Sequence, residues 1–318
     1  MTLKIKAFTP YALASTAFYD WCGKAAKSNK TAGVIGHFLA VDPHATEWSS
    51  MGLTSPVEEG SPVHDLDGTA RLLMYQFNER ILPGAVRDEI LVLRAAELAE
   101  REGGKLNRKQ YAILKEDVET ELLPKAFIRR SLVPVLVYPG HLLICTTSGS
   151  KCDKILAHLM RLTDTRKVEF PVDVYDTIGT TGSLIGRIAR AGVEYLGDDD
   201  EICFQAGTSM VIKGSDKRTI RIKDRSVISE DIAPLLKDGD YMVTELGVTL
   251  EVLDEPIAEF TLASNMVFKG IKLSGVTSAG VTDDDTHATG WLLAKTFLTM
   301  VNDTLKAMNE GAEDGEEL

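Results

Sequence analysis

Asp283-Asp284-Asp285-Thr286-His287 is the densest run of metal-ligand residue types in this chain. Carboxylates beside a histidine suit Mg²⁺ or Mn²⁺, and such a set could activate water against a phosphodiester. Asp and Thr also belong at the start of a helix, where they cap free amides and meet the positive end of the dipole. A long periodic apolar stretch begins there, so capping is the stronger reading and no metal site is assigned. Other catalytic signals are weak. Ile178-Gly179-Thr180-Thr181-Gly182-Ser183 lacks the Gly-Lys-Ser/Thr and Gly-x-Gly-x-x-Gly spacings of phosphate loops and reads instead as a helix starting near Thr181. His158 has no ligand-type partner at suitable spacing. Cys22, Cys145, Cys152 and Cys203 form no Cys-x-x-Cys pair, which argues against zinc and a disulfide framework and for a reducing cytoplasm. Cys145 and Cys203 sit among apolar residues as small hydrophobes. With no nucleophile–base set, the expectation is a protein without catalytic residues or cofactor.

Binding chemistry is better represented. The chain is acidic, with 35 basic and 47 acidic residues and a net charge of −12, yet residues 211–225 hold Lys213, Lys217, Arg218, Arg221, Lys223 and Arg225 against Asp216 and Asp224. A polyanion responds to local potential and not to the sum. Thr219 to Arg225 alternates, so Ile220 and Ile222 face one way while Arg221, Lys223 and Arg225 face the other. Alternate strand residues lie about 6.7 Å apart, and one DNA strand offers a phosphate about every 3.4 Å along its axis. The row could therefore meet alternate phosphates. The plainer alternative is a solvated edge strand blunted by its charges. A second cationic group, Lys125, Arg129 and Arg130, surrounds Phe127. Phe127 is either a core residue at a domain edge or an apolar anchor for a subunit contact beside a polyanion. If the preceding helix continues, Lys125 and Arg129 share a face and Phe127 points elsewhere.

Those residues depend on the elements that carry them. From Gly84, Val86, Ile90, Leu93 and Ala96 recur at helical steps, and Gly103-Gly104 ends that helix. Asn107 followed by Gln110 marks a capping box opening a second helix with Tyr111, Leu114, Val118 and Leu122 on its apolar face. The pair predicts a projecting helical hairpin. Before it come a strand from Leu3, a helix over Ser15 to Lys27, a buried strand over Gly33 to Val41, a long loop over 42–68 and a strand over Ala70 to Phe77. After it come a β-hairpin over Val133 to Thr146 and a helix over Ser150 to Leu162. Strands follow over 241–246, 248–253, 259–262 and 266–273, then a last helix with Trp291, Ala294, Leu298, Val301, Leu305 and Met308 as its seam.

This order predicts an α+β fold of mixed, largely antiparallel sheets with packed helices. The expected domains are 1–80 plus 131–175, the hairpin at 81–130, a second α+β domain at 176–309 and a disordered acidic tail at 310–318. There is no secretory signal, and the longest apolar run, near Leu132 to Cys145, is broken by Pro134, Pro139, Gly140 and His141. No membrane association is expected.

Ile81-Leu82-Pro83, the charged hairpin and Leu122-Leu123-Pro124-Lys125-Ala126-Phe127 together resemble the recombination-associated RdgC family. Glu47-Trp48-Ser49-Ser50-Met51-Gly52-Leu53 upstream fits the same pattern. So do Phe170-Pro171-Val172, Ser229-Glu230-Asp231-Ile232 and the final helix downstream. The likeness runs from about Leu3 to Met308. It implies a horseshoe-shaped subunit that closes into a ring-shaped homodimer with Phe127 at the gate. It also implies non-specific binding to double-stranded DNA, with single-stranded DNA a further candidate, a place in the nucleoid, and restraint of the RecA recombinase. The chain departs from the family pattern at Asp224, an acid between Lys223 and Arg225. Two other readings stay open: a metal-dependent nuclease using Asp283, Asp284, Asp285 and His287, and an acidic inhibitor that binds proteins without DNA.

Overall fold

The computed structural model describes residues 5–27, 36–55, 61–170, 172–173, 178–196, 201–223, 233–237, 241–274 and 283–313. In chain order the elements are β1 (Ala7–Leu13), α1 (Ala17–Ala26), β2 (Ser49–Thr54), β3 (Val63–Leu66), β4 (Ala70–Ile81), α2 (Gly84–Glu102), α3 (Arg108–Leu122), β5 (Phe127–Tyr138), β6 (His141–Ile144), α4 (Gly149–Arg166), β7 (Val172–Asp173), α5 (Ile178–Ala191), β8 (Val193–Leu196), β9 (Ile202–Gly214), β10 (Thr219–Ile222), α6 (Ala233–Lys237), β11 (Tyr241–Val252), β12 (Glu255–Ala263), β13 (Phe268–Leu273) and α7 (Asp283–Glu313).

Ala70 to Tyr75 is buried on both faces, as a strand with cover on each side must be. Leu73 and Tyr75 on β4, with Val133, Val135 and Val137 on β5, pack among residues of α1 and α4. Leu72, Leu136 and Tyr138, on the opposite face, join a second core with α5, α7 and the C-terminal strands. The Tyr138 hydroxyl donates to the Ala294 carbonyl, which ties α7 to this face. The strands run β10-β9-β11-β12-β13-β1-β6-β5-β4-β2, with β3 beside β4, β7 beside β1 and β8 beside β9. All these pairings are antiparallel. The expected α+β class with a largely antiparallel sheet is what the structure has. β1 is the joint: Phe8 opposes Phe268, while Tyr11 opposes Leu142. Phe8 stacks on Phe268 with ring centroids 4.5 Å apart and meets Phe297 at 5.3 Å. Burying a side chain of that size stabilises by roughly 1.5–3 kcal/mol. Among the described residues no helix is long and apolar enough to cross a membrane.

The hairpin forms where expected. Gly103 ends α2 at φ +67°, a left-handed conformation that suits glycine. The Asn107 side chain accepts from the Lys109 and Gln110 amides, and Gln110 accepts from the Asn107 amide, which completes the capping box. Its inner faces differ in part from the expectation. Leu91 and Val118 are the buried residues of α2 and α3, while Val86, Leu93 and Tyr111 are exposed. Two helices that chiefly cover each other need only a narrow apolar strip, so the outer apolar residues stay in water.

Other expectations are corrected. The expected buried strand over Gly33 to Val41 is a short 3₁₀ turn at Gly36–Phe38 followed by chain with Leu39 and Val41 exposed, its first residues lying outside those described. The expected loop over 42–68 contains β2 and β3, both paired to β4. Residues 241–252 form one strand and not two, with register shifts between Val243/Glu245 and Leu246/Val248. α7 continues to Glu313, beyond the expected start of a disordered tail at 310. The chain after α3 does not continue as helix. Leu123–Lys125 makes a 3₁₀ turn and Phe127 opens β5.

Candidate nucleic-acid interface

β10 is the edge strand beside β9. Ile220 opposes Ile212 and Ile222 opposes Met210, and these side chains join the second core. Strict alternation then leaves Arg221 and Lys223 exposed on the other face, as the sequence pattern predicts. Lys213 opposes Thr219 on that outer face. The turn between the strands is closed by backbone bonds from Gly214 to Arg218 (2.8 Å) and from Lys217 to Gly214 (3.0 Å). Asp216 accepts from the Arg218 amide at 2.9 Å and pairs with its guanidinium at 3.0 Å. Among the described residues, Lys213, Lys217, Arg221 and Lys223 hold no ion pair. Arg225 and Asp224 lie outside the described residues.

The Phe127 end is arranged differently. Phe127 opposes Ile81 at the start of β5 and is 84% exposed. It is therefore not a core residue of the subunit. On a strand, Phe127 and Arg129 share a face, contrary to the helical arrangement expected. Arg129 pairs with Glu79 across the sheet, Arg130 with Asp42 at 3.0 Å, and Lys125 with Glu121 at 3.9 Å. The hydrogen bond from Arg129 pulls the Glu79 carboxyl below its usual range, and the charges of Arg129, Lys151 and Lys154 add to it. So each cation around Phe127 already has a carboxylate, while among the described residues most of the β9–β10 row has none.

A groove of about 530 Å³ borders this end, with Thr46, Trp48, Ala112, Glu116, Thr120 and Leu123 in its walls. Arg80 fixes the base of the hairpin. Its guanidinium donates to the carbonyls of Leu123 (3.0 Å), Pro124 (3.1 Å) and Pro43 (2.9 Å). Sequence reasoning missed Arg80 and Glu79, and it quoted Trp48 within a motif without giving it a place in the groove. Their partners are far along the chain, and only the β2–β4–β5 register brings them together.

His158 has a structural place. It is buried in α4, its Nδ1 3.1 Å from the Tyr75 hydroxyl and its ring edge-on to Phe38. Burial holds its pKa down at about 4. Burial also raises the thiols of Cys22, Cys145, Cys152 and Cys203, which stay protonated and poor as nucleophiles. No group of His, Cys, Asp and Glu among the described residues is arranged to hold a metal ion. α7 begins at Asp283, in keeping with the expected helix start. The side chains of Asp283, Asp284, Asp285 and His287 fall outside the description.

Residues 37–310 match the family model described as "Putative exonuclease, RdgC". The chain is 31% identical over 206 residues to the recombination-associated protein RdgC of Cupriavidus pinatubonensis, covering 64% of this chain and 65% of that protein. It is 26% identical over 256 residues to the protein of the same name from Neisseria meningitidis, covering 79% and 81%. A third such protein, from Bordetella pertussis, is 29% identical over 208 residues, covering 64% and 65%. The chain thus aligns with just under two thirds of the length of the Cupriavidus and Bordetella relatives.

Proposed function

This chain belongs to the RdgC family, and on that basis we propose that it is a recombination-associated protein that binds duplex DNA without sequence preference. The observation that carries the proposal is the row of Lys213, Arg221 and Lys223, exposed on one face of an edge hairpin and free of carboxylate partners among the described residues. Cations of this kind meet phosphates and release counterions, and a short row of them reads no base edge. Lys217, and Arg218 with its Asp216 partner, extend the row into the turn.

The assembly proposed is a homodimeric ring of two horseshoe-shaped subunits. The gate would join an exposed Phe127 to a nearby groove walled in part by Trp48 and Leu123 beside Lys115, Glu116 and Glu119. Under two-fold symmetry each Phe127 would enter the partner's groove. Lys125, Arg129 and Arg130 would flank that gate. DNA held inside such a ring would obstruct RecA filaments and strand exchange by occupancy, with no chemical step and no cofactor.

The test is a titration of linear and closed circular duplex across salt. The proposal expects similar affinity for unrelated sequences, a fall in log affinity linear in log salt, and stronger retention on circles at moderate salt. No binding at any salt would overturn it. The name of the matched family keeps one other reading in play, a nuclease using Asp283, Asp284, Asp285 and His287. Plasmid cleaved with Mg²⁺ or Mn²⁺, and spared by Asp284→Ala, would establish it. Plasmid retarded but intact supports the clamp.

A further inference from the structure

Inward from Arg221 and Lys223, the outer face of the sheet carries two adjoining hollows. The first, about 180 Å³, is bordered by Ser209, Val211, Arg221, Lys223, Glu245 and Thr261. The second, about 290 Å³, is bordered by Thr208, Gly247, Thr249 and Lys272, and again by Ser209 and Thr261. The shared residues make them one trough, running from the sheet edge at β10 across to β13.

Its floor depends on glycine. A Cβ on Gly207 would lie 3.1 Å from the Gly247 carbonyl oxygen, and one on Gly247 would lie 2.6 Å from the Ser209 hydroxyl. One register shift of β11, between Leu246 and Val248, spans Gly247, and another lies just before it between Val243 and Glu245; irregularities of this kind bend a strand. The walls offer hydroxyls from Thr208, Ser209, Thr249 and Thr261. Their carboxylates are already matched: Glu245 pairs with Lys269 at 2.7 Å and Glu259 with Lys272 at 3.2 Å. Among the described residues, Arg221 and Lys223 are the lining cations without an ion pair. Among the described residues the one aromatic at the trough, Phe260, is 4% exposed and packs in the core, so its ring does not face the trough for a base to stack on. From β10 to β13 is four strand steps, about 19 Å at about 4.8 Å each. Along the helix axis a DNA strand advances about 3.4 Å per nucleotide, so that width matches about five to six nucleotides of axial rise.

Resting on the duplex-binding reading above, we propose that this trough seats one phosphodiester strand of duplex DNA, held by hydroxyls and cations and blind to the bases. Lys269 and Lys272 belong to the site as reserve charges: Lys272 is held by Glu259 across the β12–β13 pair, and Lys269 reaches over β12 to Glu245 on β11. Hydroxyl and cation contacts to phosphate position a duplex and carry no sequence information. Single strands are held by aromatic stacking, and the described lining offers hydroxyls and cations instead, which suit duplex.

The experiment measures fluorescent 20-base-pair duplex and oligo-dT of equal length across a salt series. The proteins are wild type, Thr261→Glu, Glu245→Gln and Met160→Glu. Thr261→Glu places a carboxylate in the trough and should weaken duplex binding about tenfold. Glu245→Gln frees Lys269 and should tighten binding severalfold, with a salt slope steeper by about 0.9. Met160 is 58% exposed on α4, and its Glu variant carries the same added charge away from the trough; it should bind within about twofold of wild type. Oligo-dT should bind more weakly than duplex. If wild type binds duplex while folded Thr261→Glu and Glu245→Gln both match it, the trough is refuted and the duplex-binding reading stands. If Thr261→Glu does not fold, the presence or absence of tightening in Glu245→Gln decides. Tighter binding of oligo-dT would also overturn the proposal. Failure of wild type to bind any duplex would remove the parent reading itself.

Discussion

Phe127→Ser separates a gate contact from a structural residue. Phe127 is 84% exposed, so the isolated subunit should lose little beyond its cross-strand pairing with Ile81, about 0.2–1 kcal/mol. Burial in a partner's groove would stabilise by roughly 1.5–3 kcal/mol for each ring, and a two-fold contact contains two of them. The loss on closing the gate is then about 3–6 kcal/mol, or a factor of roughly 10² to 10⁴ in the closing equilibrium. The assay is retention on closed circular duplex at moderate salt, beside binding to short linear duplex, with light scattering for mass and thermal melting for fold. A closed ring of two subunits has a second contact besides the gate, so the variant should stay folded and dimeric through that second interface, lose retention on circles, and bind short linear duplex nearly as well as wild type. A folded variant retained on circles like wild type would refute the gate. A monomeric variant would refute the second interface. A large fall in melting temperature would mean that Phe127 supports the subunit in spite of its exposure.

Arg221→Ala with Lys223→Ala should lower the slope of log affinity against log salt by roughly 0.9 per lost contact, equally for unrelated sequences. Arg129→Ala with Arg130→Ala should change it less, since each of those cations already has a carboxylate partner; equal changes in the two pairs would refute that distinction. His158 has a folded-state pKa of about 4 against an unfolded value near 6.5. The neutral form is favoured on folding, so stability is complete above about pH 6.5 and falls as pH drops toward 4, by roughly 3 kcal/mol at most. A folded His158→Gln variant should show a smaller loss over that window in denaturant titrations, and an unchanged loss would assign the acid sensitivity elsewhere.

What was legible in the sequence was local. The capping box at Asn107 and Gln110, the stop at Gly103 and the alternation of Ile220 with Arg221 each depend on neighbours within a few residues, and each appears as expected. The sequence left a helical continuation through Phe127 open, because the residue types after Leu123 suit either element. The register of β5 against β4, from Ile81 opposite Phe127 to Arg71 opposite Val137, decides it. β2 and β3 were hidden for a related reason. They are short and lie among turn-forming residues, and they become strands by pairing with β4. The ion pairs of Arg129 and Arg130 join residues 50 and 88 positions apart, a separation that no local pattern reports. The trough was invisible for the same reason, since Ser209, Gly247, Thr261 and Lys272 come from four different strands.

An acidic protein that binds DNA should show its two charge populations separately. At 0.1 M salt the Debye length is about 10 Å, so a phosphate over Arg221 and Lys223 senses those cations and little of the net −12 carried by the whole chain. Counterion release then makes affinity rise as salt falls. At about 0.01 M the Debye length reaches about 30 Å, and distant carboxylates begin to repel the same phosphates. The rise should therefore flatten between those two concentrations, where a protein of net positive charge would continue upward. Neutralising exposed acids on the hairpin, at the other end of the sheet from β10, for example Glu97→Gln with Glu100→Gln, should restore part of the rise at about 0.01 M and leave affinity at 0.1 M unchanged. A plot that stays straight down to 0.01 M in wild type would refute this account. It would mean that the acidic remainder of the molecule lies too far from the bound phosphates to act on them at any salt.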